Sequence, residues 1–381
     1  MGERGNPLMK KMDKWIGSPL IFGIGALHKK KKLLLISNIA SPRIAIIKTA
    51  GIGDTIILSA IIDEIKANIT TSQITLICAK NNLAMVQAMQ YKGIDEICAF
   101  DMKAPIKSLN RVRQLGNFDY AIDFGPWPRI NALIAMALHA SYRVGFKRRK
   151  QYRHYAYDGV VEHSDNVHEL ENCRNLIRKI GISTSGLQPN LHTSNKFTDY
   201  ANYAVFHMHA GGSIAYLREW DVQNWLQLAR EVHEKYHFKL LFSGGSADKA
   251  DIDQLVDRIR GCGIDAENIA GKYALSDMAA VLQNAQLLVS VNTGTMHLGA
   301  AVGVPLVAIH GASAIKRWGP LSDNAISLAS KRKCWPCVSL GYETDCKKAD
   351  CIEDIGVSDV MAAIEKLLEK STPSEAGLEK P

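Results

Sequence analysis

The sequence predicts an α/β protein made of two parallel-sheet units in series. Three observations carry this: short apolar runs alternate with helix-length amphipathic segments, the alternation halts once in a stretch rich in Pro, Asn, Ser and Thr, and it then begins again. A strand, a crossover helix and a further strand return the chain in one direction. The runs of Val, Ile and Leu therefore read as buried parallel strands with helices on both faces.

In the first unit RIAIIKT (43–49) is the opening strand and DTIILSAIIDEIKANI (54–69) its helix. ITLIC, DEICAF, DYAIDF and YRVGF follow as strands, with helices around 82–89, 105–115 and 129–138. GLQPNLHTSNKFTDYA (185–200) is the break, and the linker belongs there. The second unit runs YAVFHMHA, a helix from Asp221 to about Tyr236, FKLLFSG, a helix around 247–260, and a short strand at Asn268–Ala270. A helix from Ser276 to Asn284, the strand LLVSV, a helix over Gly294–Val302 and the strand PLVAIHG complete it. These are two Rossmann-like domains, placed at 41–190 and 200–370, between a leader (1–40) and a disordered tail (371–381).

A chain of 381 residues with 47% hydrophobic content has room for two such cores. Its formal charge of +8 invites a nucleic-acid reading, but the leader through residue 32 holds eight Lys/Arg against two acids, leaving 38 against 36 elsewhere. A nearly neutral body has no polyanion face, so nucleic acid is not an expected partner. The leader's apolar part, Trp15 to Leu27, spans 13 residues, short of the ~20 that cross a bilayer. No small-residue cleavage site follows, and the basic run Lys29–Lys32 comes after the apolar segment, unlike a secretory signal. A membrane-surface anchor on the cytoplasmic face of the inner membrane is one expectation. A disordered tail, favoured by Gly17, Pro19, Gly23 and Gly25, is the other.

Eight cysteines in a chain this long, without a secretory signal, point to the reducing cytosol. Cys334, Cys337, Cys346 and Cys351 are clustered, but only the first pair has Cys-x-x-Cys spacing. A structural metal, a redox pair and four unligated thiols all remain open; the last is preferred.

Ligands of parallel sheets bind at the carboxyl ends of the strands. That rule selects four loops: TAGIGDT (49–55), HAGGSIAYLREW (209–220), SGGSADKAD (243–251) and NTGTMH (292–297). In the last, Thr293 at the N-cap of a helix would aim free N–H groups and the positive dipole end at an anion. Gly294 permits close approach, and Thr295 and His297 add donors. Gly211, Gly212 and Ser213 in the second loop, with Gly245 and Ser246 in the third, offer N–H groups to phosphate or ribose, and Arg218 can neutralise phosphate charge. The first loop, with Thr49, Gly51 and Gly53, lacks the third glycine of a dinucleotide fingerprint, since position 56 is Ile56. Its Asp54 is either an ordinary N-cap or a carboxylate placed to take a proton from an incoming hydroxyl.

RIAIIKTAGIGDTIILSAIIDEIK, HAGGSIAYLREWDVQNW, LLFSGG and above all GKYALSDMAAVLQNAQLLVSVNTGTMHLGAAVGVPLVAIHGASAIKRWGP resemble glycosyltransferase family 9, the lipopolysaccharide heptosyltransferases, in order from about Arg43 to about Leu368. The resemblance implies a GT-B fold, with two parallel sheets facing a central cleft. It also implies inverting, metal-independent transfer from a nucleotide sugar, usually ADP-heptose, onto a lipid-linked or lipopolysaccharide core sugar, with no further cofactor. It casts Asp54 as general base, Arg218 as the donor-phosphate contact, and Thr293, Gly294 and His297 as the donor motif. The chain departs from the family's pattern where Asn292 replaces an acid, where Ser246 replaces a Glu, and in its long leader, which suggests another acceptor. Rival readings are a dinucleotide-dependent oxidoreductase on the first unit and a weakly catalytic nucleotide-sugar-binding protein.

Overall fold

The computed structural model of the chain describes residues 13–49, 51–88, 93–193, 197–212, 214–338, 344 and 346–371. The chain divides into two compact units, Met1–Pro189 and Asn190–Pro381.

In the first unit the strands are β1 Arg43–Lys48, β2 Gln73–Ala79, β3 Glu96–Phe100, β4 Asn117–Asp123, β5 His139–Lys147 and β6 Gly159–Glu162. They form one sheet in the order β3-β2-β1-β4-β5-β6, parallel throughout. The chain winds from β1 outward to β3, then returns to lay β4 on the other side of β1. Winding therefore reverses between β1 and β4, the place where such sheets leave a crevice at their carboxyl ends. Ile44, Ala45, Ile46 and Ile47 of β1 are all buried, which explains why this strand reads as an apolar run and not as an alternation.

The second unit repeats the design with β7 Tyr203–His207, β8 Lys239–Ser243, β9 Ala266–Asn268, β10 Leu287–Val291, β11 Leu306–His310 and β12 Ala325–Ala329. Its order, β12-β11-β10-β7-β8-β9, reverses between β7 and β10. Phe206, Trp225, Phe242, Leu255, Val289, Ile309 and Ile364 centre its core.

The predicted elements are present with shifts at their ends, and unpredicted ones appear among the described residues, including β6, β12 and the helices Glu169–Lys179 and Val357–Ser371. The strand expected at Asn268–Ala270 lies at Ala266–Asn268, two residues earlier, where it pairs with Leu240, Leu241 and Phe242.

The leader does not match the disordered-tail alternative over its described part. Gly17–Leu27 is a helix, seated on the helix Arg129–Ala137 and the 3-10 turn Arg153–Ala156. Asp13 accepts hydrogen bonds from Arg129 N (2.8 Å) and Arg129 Nη1 (2.7 Å). Ile21 is buried, and Phe22 packs on Tyr152 and Tyr155 with centroids 4.9 and 5.2 Å away. Two of the glycines are contact positions, because a Cβ on Gly25 would fall 2.5 Å from Tyr155 Cβ and one on Gly17 3.1 Å from Arg129 Cβ. Tight seating offsets the helix propensity that those glycines lack. Residues 1–12 and 372–381 of the expected leader and tail lie outside the described residues.

Candidate active site

At the β1–β4 reversal the sheet ends in two charged residues, Lys48 and Asp123. Lys48 is 2% exposed, and its Nζ donates to Asp54 Oδ1 at 3.1 Å and to the Phe124 carbonyl at 3.0 Å. Asp54 does not cap its helix. That helix runs Ile52–Asn68 with Gly51 at the N-cap, where φ is +81°, a conformation glycine adopts without strain. Asp54 instead sits in the first turn, where the helix dipole favours a carboxylate. The N-cap alternative therefore gives way to a buried Lys48–Asp54 ion pair.

Beside it lies a polar network centred on Asp123. Asp123 Oδ1 accepts from Asn131 Nδ2 and Gly125 N, both at 2.9 Å, and Oδ2 accepts from Arg153 Nη2 and Tyr157 OH. Burial would lower the pKa of Arg153, but the Asp123 carboxylate outweighs it and raises it. Thr49 Oγ1 bonds inward to Asn131 Oδ1 at 2.5 Å, so it holds the loop and does not project from it. Gly53 lies within the helix.

At the β7–β10 reversal the helix Gly294–Val302 begins with its axis at the sheet's carboxyl edge. Thr293 occupies the N-cap position, as expected, yet its side chain makes no capping bond. Its Oγ1 is buried and has no hydrogen-bond partner among the described residues. A buried hydroxyl without a partner costs roughly 1–3 kcal/mol. Beside an uncapped helix N-terminus, a ligand oxygen would relieve that cost. Gly294 and Thr295 are half-buried at this end, and His297 is buried one turn along.

Arg218 joins two of the loops, donating through Nη1 to Asn292 O at 3.5 Å and through Nη2 to Gly211 O. Gly212 has φ +99° and accepts from Ala215 N. Ser213 lies outside the described residues. Asn292 points its amide at His310 Nδ1 (3.2 Å) and Trp318 O (3.1 Å). Burial, then His297, pushes His310 down to about 3. An amide in place of an acid thus sits beside a neutral imidazole.

The third loop departs from its expected role. Gly245 N–H is already given to Asp248 Oδ2 at 2.7 Å, which puts a carboxylate where phosphate or ribose was expected. Ser246 lies against Gly271, whose Cβ, if present, would be 2.6 Å from Ser246 Oγ.

Sequence reasoning missed Lys48, Asp123, Arg153, Asp248 and the pair His209–Glu219. Glu219 Oε1 accepts from Ala210 N at 2.8 Å and lies 3.6 Å from His209 Nδ1. The neighbouring Glu219 carboxylate raises the His209 pKa against burial, and His209 Nε2 is buried without a partner among the described residues. A charged residue closing an apolar strand (Lys48) and a His opening a glycine loop (His209) are signals that the sequence does contain.

Of the clustered cysteines, Cys351 and Cys337 pack with Leu217 and Ala312, while Cys334 and Cys346 are exposed. All eight cysteines are free thiols, and no group of three His, Cys, Asp or Glu suited to a metal occurs among the described residues.

Two doubly wound units in one chain, each a six-stranded parallel sheet with helices, make the GT-B fold. The model of glycosyltransferase family 9 (heptosyltransferase) matches residues 109–348. The chain belongs to that family and is a glycosyltransferase, which sets aside the oxidoreductase reading. It is 20% identical over 347 residues to the lipopolysaccharide core heptosyltransferase OpsX of Haemophilus influenzae, covering 86% of this chain and 97% of that one. The fold matches Escherichia coli ADP-heptose lipopolysaccharide heptosyltransferase II with a TM-score of 0.69 at 17% identity, over 86% of this chain and 99% of the other. It also matches the iron-containing dodecameric glycosyltransferase TibC of enterotoxigenic E. coli, with a TM-score of 0.56 at 15% identity over 91% and 78%.

Proposed function

We propose that the protein transfers a heptose from ADP-heptose, with inversion and without a metal, onto the lipopolysaccharide core or a related lipid-linked glycan at the cytoplasmic face of the inner membrane. The observation that carries this reading is the uncapped start of Gly294–Val302, with the buried, unpartnered Thr293 hydroxyl beside it. Membership of a heptosyltransferase family and the donor and acceptor in its relatives' names support it.

Asp54 takes the proton of the acceptor hydroxyl as the oxygen attacks the anomeric carbon. The bond from that carbon to the diphosphate oxygen breaks, and its electron pair leaves with ADP. Charge growing on the diphosphate meets the helix dipole, the Thr293 hydroxyl, Arg218 and protonated His209, donors fixed before the reaction begins. Lys48 holds the Asp54 carboxylate in place. Asp248, at the end of β8, fits the ribose hydroxyls, the role an acid takes at this position of a Rossmann unit, and fills the place that Ser246 leaves open.

The test is incubation with ADP-heptose and lipopolysaccharide from a heptose-deficient strain, read by mass spectrometry and by NMR of the new anomeric centre. A heptosyl adduct of inverted configuration in the presence of EDTA is expected. Transfer only from another sugar nucleotide would overturn the donor, and retention would overturn the mechanism.

A further inference from the structure

The leader helix breaks the usual rule for a helix lying on a domain. Such helices bury an apolar stripe and show charge to water. Gly17–Leu27 buries Gly17 and Ile21, yet its exposed side carries Leu20, Gly23 and Leu27, with exposed Ile16 just before it and no charge among them. Trp15 is 73% exposed, Leu20 46% and Leu27 86%. Beyond the lysines that follow the helix, Leu33, Leu34 and Leu35 are exposed as well. Lys14 stands at one end, and exposed Lys29, Lys30 and Lys32 at the other. The face is fixed in place by Asp13–Arg129 before it and by His28–Asp158 (3.0 Å) and Lys31–Ala140 O (2.8 Å) after it.

We propose that this face is a preformed docking surface for an anionic lipid bilayer. Charge complementarity selects that occupant: an apolar strip ending in lysines matches acyl chains bounded by anionic headgroups, and an exposed Trp beside a Lys suits the interface. Eleven helical residues reach about 16 Å, half the ~30 Å of hydrocarbon, so the helix lies in the plane of the membrane. No helix among the described residues is long and apolar enough to cross one. Asp13, just ahead of the helix, is bonded to Arg129, whose Nε and Nη2 hold Gln151 O and Lys150 O at 3.1 Å. The first unit is thereby carried on the bilayer as a rigid attachment and not on a tether. The purpose of this surface rests on the proposed lipid-borne acceptor.

The experiment is flotation of the full-length protein, without substrates, with vesicles of phosphatidylglycerol and phosphatidylethanolamine, and with phosphatidylcholine vesicles as control. Binding to the anionic vesicles that weakens with salt is expected. Leu20→Glu with Leu27→Glu should abolish it, and Leu27→Glu alone, at an 86% exposed position, should weaken it with the melting temperature unchanged. Lys29→Glu and Lys30→Glu should each weaken binding at least about fivefold, the effect of one basic residue at an anionic surface. Equal binding to phosphatidylcholine, or no binding at all, overturns the proposal. So does a concentration-dependent dimer that the leucine substitutions dissociate, since a second copy would then cover the face. Transfer to a water-soluble acceptor is measured on the same samples, which separates failure of the docking surface from failure of the catalytic reading.

Discussion

Lys48 Nζ lies 3.1 Å from Asp54 Oδ1, with the two side chains 3% and 2% exposed. Breaking so buried an ion pair by removing one member costs roughly 3–5 kcal/mol. Lys48→Met should therefore lower the melting temperature sharply. Asp54→Asn should reduce turnover by roughly 10²–10⁴-fold, the range for a positioned acid–base group, with donor affinity little changed. The double variant should recover stability without recovering turnover, and a double-mutant cycle of melting and kinetics reads both. Near-normal turnover in folded Asp54→Asn would remove it as the base.

That pair also marks how far the sequence can be read. Parallel strands announce themselves because both of their faces are buried, as in β1, and Gly294–Val302 is predicted to the residue. The missed strands are edges: β12 is half-buried at every position and β6 has four residues, so neither makes an apolar run. The closing helix shows Val360, Ile364 and Leu367 at helical spacing, but no strand follows to draw attention to it. Loops at strand ends located the site; partners did not follow from them. Arg153 and Asp123 stand 30 positions apart and meet only because β4 lies beside β5 and the turn after it.

Thr293 and Arg218 should separate donor binding from stability. Thr293→Val removes a hydroxyl that is unpartnered among the described residues, so the melting temperature of the free enzyme should hold or rise. Donor binding should weaken by roughly two- to tenfold, the worth of one neutral hydrogen bond. Arg218→Ala should weaken it by roughly ten- to a hundredfold through loss of a charged contact. Calorimetric titration with ADP checks both, and an unchanged Thr293→Val affinity would place the diphosphate elsewhere.

The four clustered thiols should differ in reactivity. Cys334 and Cys346 are exposed, whereas burial pushes Cys351 up to about 11. Alkylation at pH 8 followed by peptide mass spectrometry should label the first two and spare Cys351 until the protein unfolds, because only thiolates react. Turnover should survive EDTA. Stoichiometric iron or zinc in the purified enzyme would overturn the reading of these residues as unligated thiols.

The pH dependence of donor binding should come from His209. Glu219 raises its pKa above the usual 6.5, despite burial, and lies 3.6 Å from Nδ1. The sign follows from the proton's preference. A histidine whose pKa is raised on folding stabilises the protein fully below its unfolded pKa, and that contribution is lost as pH rises through the higher folded value. Glu219 behaves in the opposite sense: burial pushes its carboxyl up, but His209 and the Ala210 N–H lower it overall, so its contribution disappears only in acid. Between those limits the pair is charged on both sides, and the imidazolium is available to a diphosphate in the glycine loop. ADP affinity should therefore be greatest on the acid side and decline as pH rises through a value above the usual 6.5. Glu219→Gln removes the support and should shift the decline to lower pH; His209→Gln should flatten it while lowering affinity throughout. A wild-type decline that persists unshifted in both variants would assign the titration to another group.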